Sequence, residues 1–203
     1  MKLSEFLEYL ENRNREFITD QKDLSKMAKA QHPFMTLIEC SDSRVDTSDI
    51  GFGGKEALDR VFRIENIWNT VWNNEWSVEY WVLHLKTPIL FIFAHTNCGA
   101  IKAALFEYDH LSSAIKRELD YIKPALEWLE NIKDMEERWF KWVLANLEYQ
   151  VNYAYNKFKD LVNSGKLAII GGLEDTDNSL WWWYDKYYTK FVLAKDNFEF
   201  KYH

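Results

Sequence analysis

Ile89-Leu90-Phe91-Ile92-Phe93-Ala94-His95-Thr96-Asn97-Cys98-Gly99 is the stretch that decides the fold. Six apolar residues in succession are the pattern of a strand buried on both faces, as in a parallel sheet covered by helices on either side. The run ends on His95, and the spacing from Gly99 to Tyr108 then restarts a helix. Upstream, Ser77 to Leu85 has helical spacing that Pro88 ends. Phe34 to Glu39 is a second short apolar run, closed by Cys40. Val61 to Ile64 is a weaker strand that follows a loop holding Gly51, Gly53 and Gly54. Downstream, 112–163 reads as helix, broken or restarted at Pro124, and the charge run Asp134 to Arg138 reads as a solvated helix face or link. Leu167 to Ile170 is a fourth strand, closed by Gly171 and Gly172. Strand and helix alternate, so the expected fold is α/β, with a mainly parallel central sheet flanked by helices.

The two ends depart from this middle. Residues 3–29 are polar with apolar positions at Phe6, Leu7, Leu10, Phe17 and Ile18, which predicts an N-terminal helical extension. The tail alternates in two pieces, Lys190 to Ala194 and Phe198 to Tyr202, around Asp196-Asn197, the pattern of an edge hairpin. One domain over 1–203 is expected: an arm at 1–30, an α/β core at 31–175 and an aromatic-rich tail at 176–203.

Composition narrows the function. A formal net charge of −7 argues against nucleic acid and anionic membrane as partners, since both need a basic face. No stretch approaches the length of a membrane-spanning helix. Met1 to Tyr9 lacks the basic-then-apolar order of a secretion signal, so a cytoplasmic location is expected. The aromatic surplus, ten Trp, eleven Tyr and thirteen Phe, is enough either to fill a core or to leave surface for a second subunit to cover. In a reducing compartment, two cysteines suit a metal or reactive site better than a disulfide framework.

Those cysteines sit at two strand ends. Cys40-Ser41-Asp42-Ser43-Arg44 follows one predicted strand and His95-Thr96-Asn97-Cys98-Gly99 another. Ligands of open α/β sheets collect beyond the carboxyl ends of the strands, so the two segments can meet although they are far apart in sequence. Two thiolates and one imidazole form a soft set that favours zinc, and three protein ligands leave a fourth position for water. Asp42 and Arg44 stand two and four residues past Cys40, so Arg44 can grip the Asp42 carboxylate bidentately. Gly99 lets the next helix start close to the metal, its N-terminal dipole toward Cys98 and the anion that forms. A lone buried cysteine, a lone histidine and a lone Asp–Arg pair are each ordinary structural features. Their convergence at strand ends is not.

This pair of segments resembles the signatures of the β-class carbonic anhydrases, Cys-x-Asp-x-Arg and His-x-x-Cys, and Cys40, Asp42, Arg44, His95 and Cys98 match both in full. Ser41, Ser43, Val45 and Ala100 agree with the flanking text. The resemblance is good from about Gln31 to Leu105 and weak after Gly172. It implies a Zn2+ enzyme that reversibly hydrates carbon dioxide to bicarbonate through hydroxide held on the metal, working as a homodimer or higher homo-oligomer. It further implies that Cys40, His95 and Cys98 hold the zinc and that Asp42 and Arg44 orient the nucleophile. Gln31, Phe62, Tyr80 and Gly99 would face the substrate, Gln31 from across a dimer interface. His32 is a candidate proton shuttle by position, whereas His84, inside an apolar helical stretch, reads as packed core.

Two rival readings remain. A hydrolase of carbonyl sulfide or carbon disulfide would keep the zinc chemistry, with Trp68, where the family has a small residue, reshaping the pocket. A non-catalytic zinc-binding interaction protein would dock partners through Trp181-Trp182-Trp183 and Tyr187-Tyr188; the intact Asp42 and Arg44 speak against it. Glu65 stands where allosteric family members use an Arg to hold a regulatory bicarbonate. An acidic residue repels that anion. Crystals soaked in bicarbonate are therefore expected to show none bound beside Glu65, and an anion found there would refute the expectation.

Overall fold

The computed structural model of the protein describes residues 3–20, 29–126, 129, 131–176, 180–182 and 192–193. Four strands form the parallel sheet: β1 (Met35–Cys40), β2 (Val61–Asn66), β3 (Ile89–His95) and β4 (Ala168–Asp175). Their order is β2-β1-β3-β4, so the winding reverses between β1 and β3. Two short strands, β5 (Leu180–Trp182) and β6 (Val192–Leu193), pair antiparallel with the other edge of β4. Val192–Leu193 is the described part of the expected tail hairpin, and it pairs with Ile169 and Ile170 of β4. Residues 194–203, and with them the second arm of that hairpin, lie outside the described residues, as do Trp183, Tyr187 and Tyr188.

Side-chain alternation explains the apolar run that marks β3. Leu90, Ile92 and Ala94 enter one core layer, while Ile89, Phe91 and Phe93 enter the other. On the first face the core closes against α6 (Met135–Asn163), which buries Leu147, Val151, Ala154 and Phe158. On the second face Met35, Leu37, Phe91 and Phe93 pack with Ile50 and Phe52 of the loop after β1.

Helices α2 (Glu75–Glu79), α3 (Gly99–Phe106), α4 (Ser113–Asp120) and α5 (Lys123–Leu126) complete this unit. The charge run at Asp134 to Arg138 is a helix start rather than a link. The Asp134 carboxylate accepts a hydrogen bond from the Glu137 backbone N–H at 2.7 Å, and Glu136 and Glu137 occupy the first turn, where negative charge is favoured. α2 continues as a wider π-helical turn, Tyr80–His84, in which the Leu85 N–H reaches the Tyr80 carbonyl. Trp81 and Val82 are buried there, while Tyr80, Leu83 and His84 face outward. His84 is therefore not core; its ring lies 5.1 Å from that of Tyr80. The arm forms a separate compact unit, Met1–His32, that carries α1 (Leu3–Asp20), with Leu3, Phe6, Leu7 and Leu10 exposed. No helix among the described residues is long and apolar enough to cross a membrane.

β4 does not stop at Gly171 and Gly172 but runs through them to Asp175. Gly172 is required by packing: a Cβ there would meet Phe91 ring carbons at 2.7 and 2.8 Å and Phe93 at 3.2 Å. The glycine is thus a slot for two aromatic rings rather than a strand terminator. Gly172→Ala is expected to cost about 1–3 kcal/mol through overpacking of this buried layer, read from urea unfolding midpoints; an unchanged midpoint would contradict the close fit.

Candidate metal centre

β1 and β3 keep parallel register from Met35↔Ile89 to Ile38↔Ile92. Beyond that level the strands lead apart at the point where the winding reverses, which is where open α/β sheets form their crevice. Cys40 closes β1, His95 closes β3, and Cys98 is the N-cap of α3. Their ligating atoms lie within 4.8 Å of one another, and all three residues are buried. Among the described residues this is the one group of three or more such side chains able to hold a metal ion.

Its electrostatics fit a cation. The Nδ1–H of His95 donates to the Thr96 carbonyl at 2.9 Å, which leaves a lone pair on Nε2. That Nε2 is buried without a hydrogen-bond partner, a costly arrangement unless a metal takes the lone pair. The Cys40 thiol is brought down, first by a hydrogen bond from the Cys98 thiol, against burial, then by His95 and the Trp68 backbone N–H. The Cys98 thiol is pushed up, by its hydrogen bond to Cys40, by burial and by the Cys40 charge. Two thiols so close give up a first proton readily and a second only when a cation offsets the added charge. Backbone N–H groups of Ala100 and Ile101 also reach the Cys98 sulfur, the expected contribution of a helix N-terminus.

Asp42 stands at the mouth of this group. Arg44 holds it through Nε to Oδ1 at 2.9 Å and Nη2 to Oδ2 at 2.7 Å, and the same Nη2 donates to the Asn97 carbonyl at 2.9 Å. The Asp42 Oδ2 is 3.9 Å from His95 Nε2, beyond hydrogen-bond reach. Arg44 first of all holds the Asp42 carboxyl at about 2, against some burial.

The family model described as carbonic anhydrase matches residues 35–180, the greater part of the chain. The chain belongs to the carbonic anhydrase family, in its β class. It is 34% identical over 121 residues to a carbonic anhydrase of Emericella nidulans, covering 57% of this chain and 46% of the relative. Against the mitochondrial beta carbonic anhydrase 6 of Arabidopsis thaliana it is 26% identical over 184 residues, 80% of this chain and 60% of the relative. The chain thus spans about half the length of these curated relatives. Among solved structures, a Coccomyxa beta-carbonic anhydrase in complex with acetazolamide superposes with a TM-score of 0.74 at 25% identity, over 89% of this chain and 85% of that one. A tetrameric beta-carbonic anhydrase from Sordaria macrospora gives 0.74 at 25%, over 88% and 96%.

Against this family frame, the remaining expected site residues divide. Phe62 pairs with Thr36, four residues upstream of the Asn66↔Cys40 pair, about 13 Å along the strand. There it stacks on Trp81 at 3.4 Å, so one protomer does not bring it to the ligands. Tyr80 is 48% exposed and meets Trp81 and His84. Gln31 belongs to the N-terminal unit and is exposed. Gly99 is exposed, and a Cβ there would meet no atom within 4 Å, so no close packing within this chain demands a glycine.

Trp68 is 1% exposed and belongs to the same buried cluster as Cys40 and Cys98. Its backbone is the functional part. At φ 79° it lies in the left-handed region, unusual for a bulky residue, and it directs its N–H at the Cys40 sulfur. The conformation is held by Asn146 Nδ2, which donates to the Trp68 carbonyl at 3.0 Å, and by Gln150, which accepts from the Val71 N–H at 2.8 Å. Sequence reading missed these α6 residues and also Trp139, whose indole N–H donates to the Cys98 carbonyl at 3.0 Å. Asn97, at φ 56°, was open to notice, since Asn tolerates that region.

A carboxylate favoured by the fold adds stability above the ordinary carboxyl range and loses it as pH falls toward 2. In metal-free Arg44→Met, Asp42 is expected to titrate above about 2, since the guanidinium bonds are lost while the backbone N–H bond of residue 44 remains, read from its carboxyl carbon by NMR. A carboxyl still titrating near 2 in that variant would contradict the assigned cause.

Proposed function

We propose that the protein is a zinc-dependent carbonic anhydrase, catalysing the reversible hydration of carbon dioxide to bicarbonate. The observation that carries this reading is the buried Cys40, His95 and Cys98 group with its unpartnered His95 Nε2, beside an intact Asp42–Arg44 pair. Two thiolates and an imidazole at this separation suit zinc and leave one tetrahedral position open. Bound there, zinc would supply the charge that lets water act as hydroxide near neutral pH.

The chain's own groups would do the rest. Asp42, its carboxylate fixed by two Arg44 hydrogen bonds, can only accept, so it takes a hydrogen bond from the attacking oxygen and turns a lone pair toward the carbon of carbon dioxide. Arg44 keeps Asp42 ionised and, through the Asn97 carbonyl, ties it to the loop between His95 and Cys98. Gln31, Phe62, Tyr80 and Gly99 enter as substrate-side residues through the family resemblance, in an assembly of two or more copies like the tetrameric Sordaria macrospora relative. A cytoplasmic setting belongs to the same reading, since both ligand sulfurs must stay reduced. Trp68 is buried in this chain, and side-by-side assays with carbon dioxide and carbonyl sulfide would separate the two substrates.

Stopped-flow hydration of carbon dioxide by protein of measured zinc content is the test. Activity is expected to rise toward alkaline pH as the bound water ionises, and Cys40→Ser to lower it by about 100-fold or more with loss of zinc. Zinc-loaded protein without turnover, or a flat profile between about pH 6 and 9, would overturn the proposal.

A further inference from the structure

The C-terminal end of β4 grips the loop between the metal ligands. The Thr96 N–H donates to the Glu174 carbonyl at 2.8 Å, and the Thr176 N–H donates to Thr96 Oγ1 at 3.0 Å. Thr96 Oγ1 lies 3.3 Å from Asp175 Oδ1, which can only accept while ionised, so the Thr96 hydroxyl proton goes there. The Thr176 hydroxyl is then free to donate to the Thr96 carbonyl, 3.2 Å away, and Asn97 Nδ2 donates back to Thr176 Oγ1 at 3.5 Å. The Thr176 hydroxyl thus has two acceptors on Thr96, the carbonyl and Oγ1, each at 3.2 Å.

The Thr96 carbonyl is the atom that receives the His95 Nδ1–H. The Asn97 carbonyl is the atom that receives Arg44 Nη2. Thr176 therefore touches both residues through which the two signature segments are oriented, from 80 positions away and without meeting the metal ligands itself. We propose that Thr176 is a positioning residue for the metal centre, whose hydroxyl fixes the Thr96 carbonyl so that His95 keeps its proton on Nδ1 and presents Nε2 as a ligand.

Outer hydrogen-bond partners of a metal-ligating histidine set its tautomer and ring orientation, and their loss typically weakens metal binding about 10–100-fold. Thr176 acts one bond further out, so the low end is expected. The inference rests on the zinc reading above, and two measurements keep their failures apart. Thr176→Val retains shape and the backbone bond to Thr96 Oγ1 while deleting the hydroxyl; Thr176→Ser restores it.

Zinc affinity, measured by competition with a chromophoric chelator, is expected to fall about tenfold in Thr176→Val and to stay within about twofold of the parent in Thr176→Ser. In metal-free protein, long-range proton–nitrogen NMR should show His95 as the Nδ1–H form in the parent and in Thr176→Ser, and as a mixture of tautomers in Thr176→Val. Unchanged affinity and unchanged tautomer in Thr176→Val would overturn the assignment, as would a loss that Thr176→Ser does not restore. Should the parent itself take up no zinc, the metal reading falls, and the tautomer comparison still decides the role of Thr176.

Discussion

The structure depends on three metal-seeking atoms being held together out of water. Two sulfurs and an imidazole nitrogen, drawn from the ends of β1 and β3 and the start of α3, lie within 4.8 Å of one another in buried surroundings. Burial strips them of solvent, the tautomer leaves Nε2 with a bare lone pair, and two neighbouring thiols resist losing both protons. Each of these penalties reverses sign when a divalent cation arrives. The sheet around them is built to keep that geometry, since parallel strands are tied along their length and part only where the winding reverses.

Strain in the surrounding loops serves the same end. Trp68, Asn69 and Asn97 all take positive φ, which asparagine tolerates but which costs a bulky residue such as Trp68 about 1–3 kcal/mol. Asn146 and Gln150, both 1% exposed on α6, hold the first bend, and the β4 end with Arg44 holds the second. In return, one backbone N–H reaches the Cys40 sulfur and one backbone carbonyl receives the guanidinium that fixes Asp42. Two buried polar residues on the core face of α6 are thus accounted for by the bend they hold, Asn146 at the Trp68 carbonyl and Gln150 at the Val71 N–H.

Much of this was legible in the chain itself. The apolar run of β3, with residues alternating between two core layers, announces a buried parallel strand, and the segments from Cys40 to Arg44 and from His95 to Cys98 carry the candidate ligands in plain order. What stayed hidden was set by packing between distant residues. Glycine ordinarily marks a strand end, but Gly172 lies inside β4 because Phe91 and Phe93 fill the space a side chain would take. The acidic run from Asp134 is a solvated helix face, as its composition suggests, and the structure adds that Asp134 caps α6. Residue type alone does not announce that Trp68 takes a positive φ or that its ring is buried. Thr176 carries no local signal at all, since its meaning comes from contact with a loop 80 positions earlier.

X-ray absorption at the zinc edge of the purified, zinc-loaded protein addresses the coordination directly. The account predicts two sulfurs at about 2.3 Å, one nitrogen at about 2.0 Å and one further light ligand from solvent. A shell of nitrogen and oxygen alone, a shell of four sulfurs, or protein that binds no zinc would contradict it.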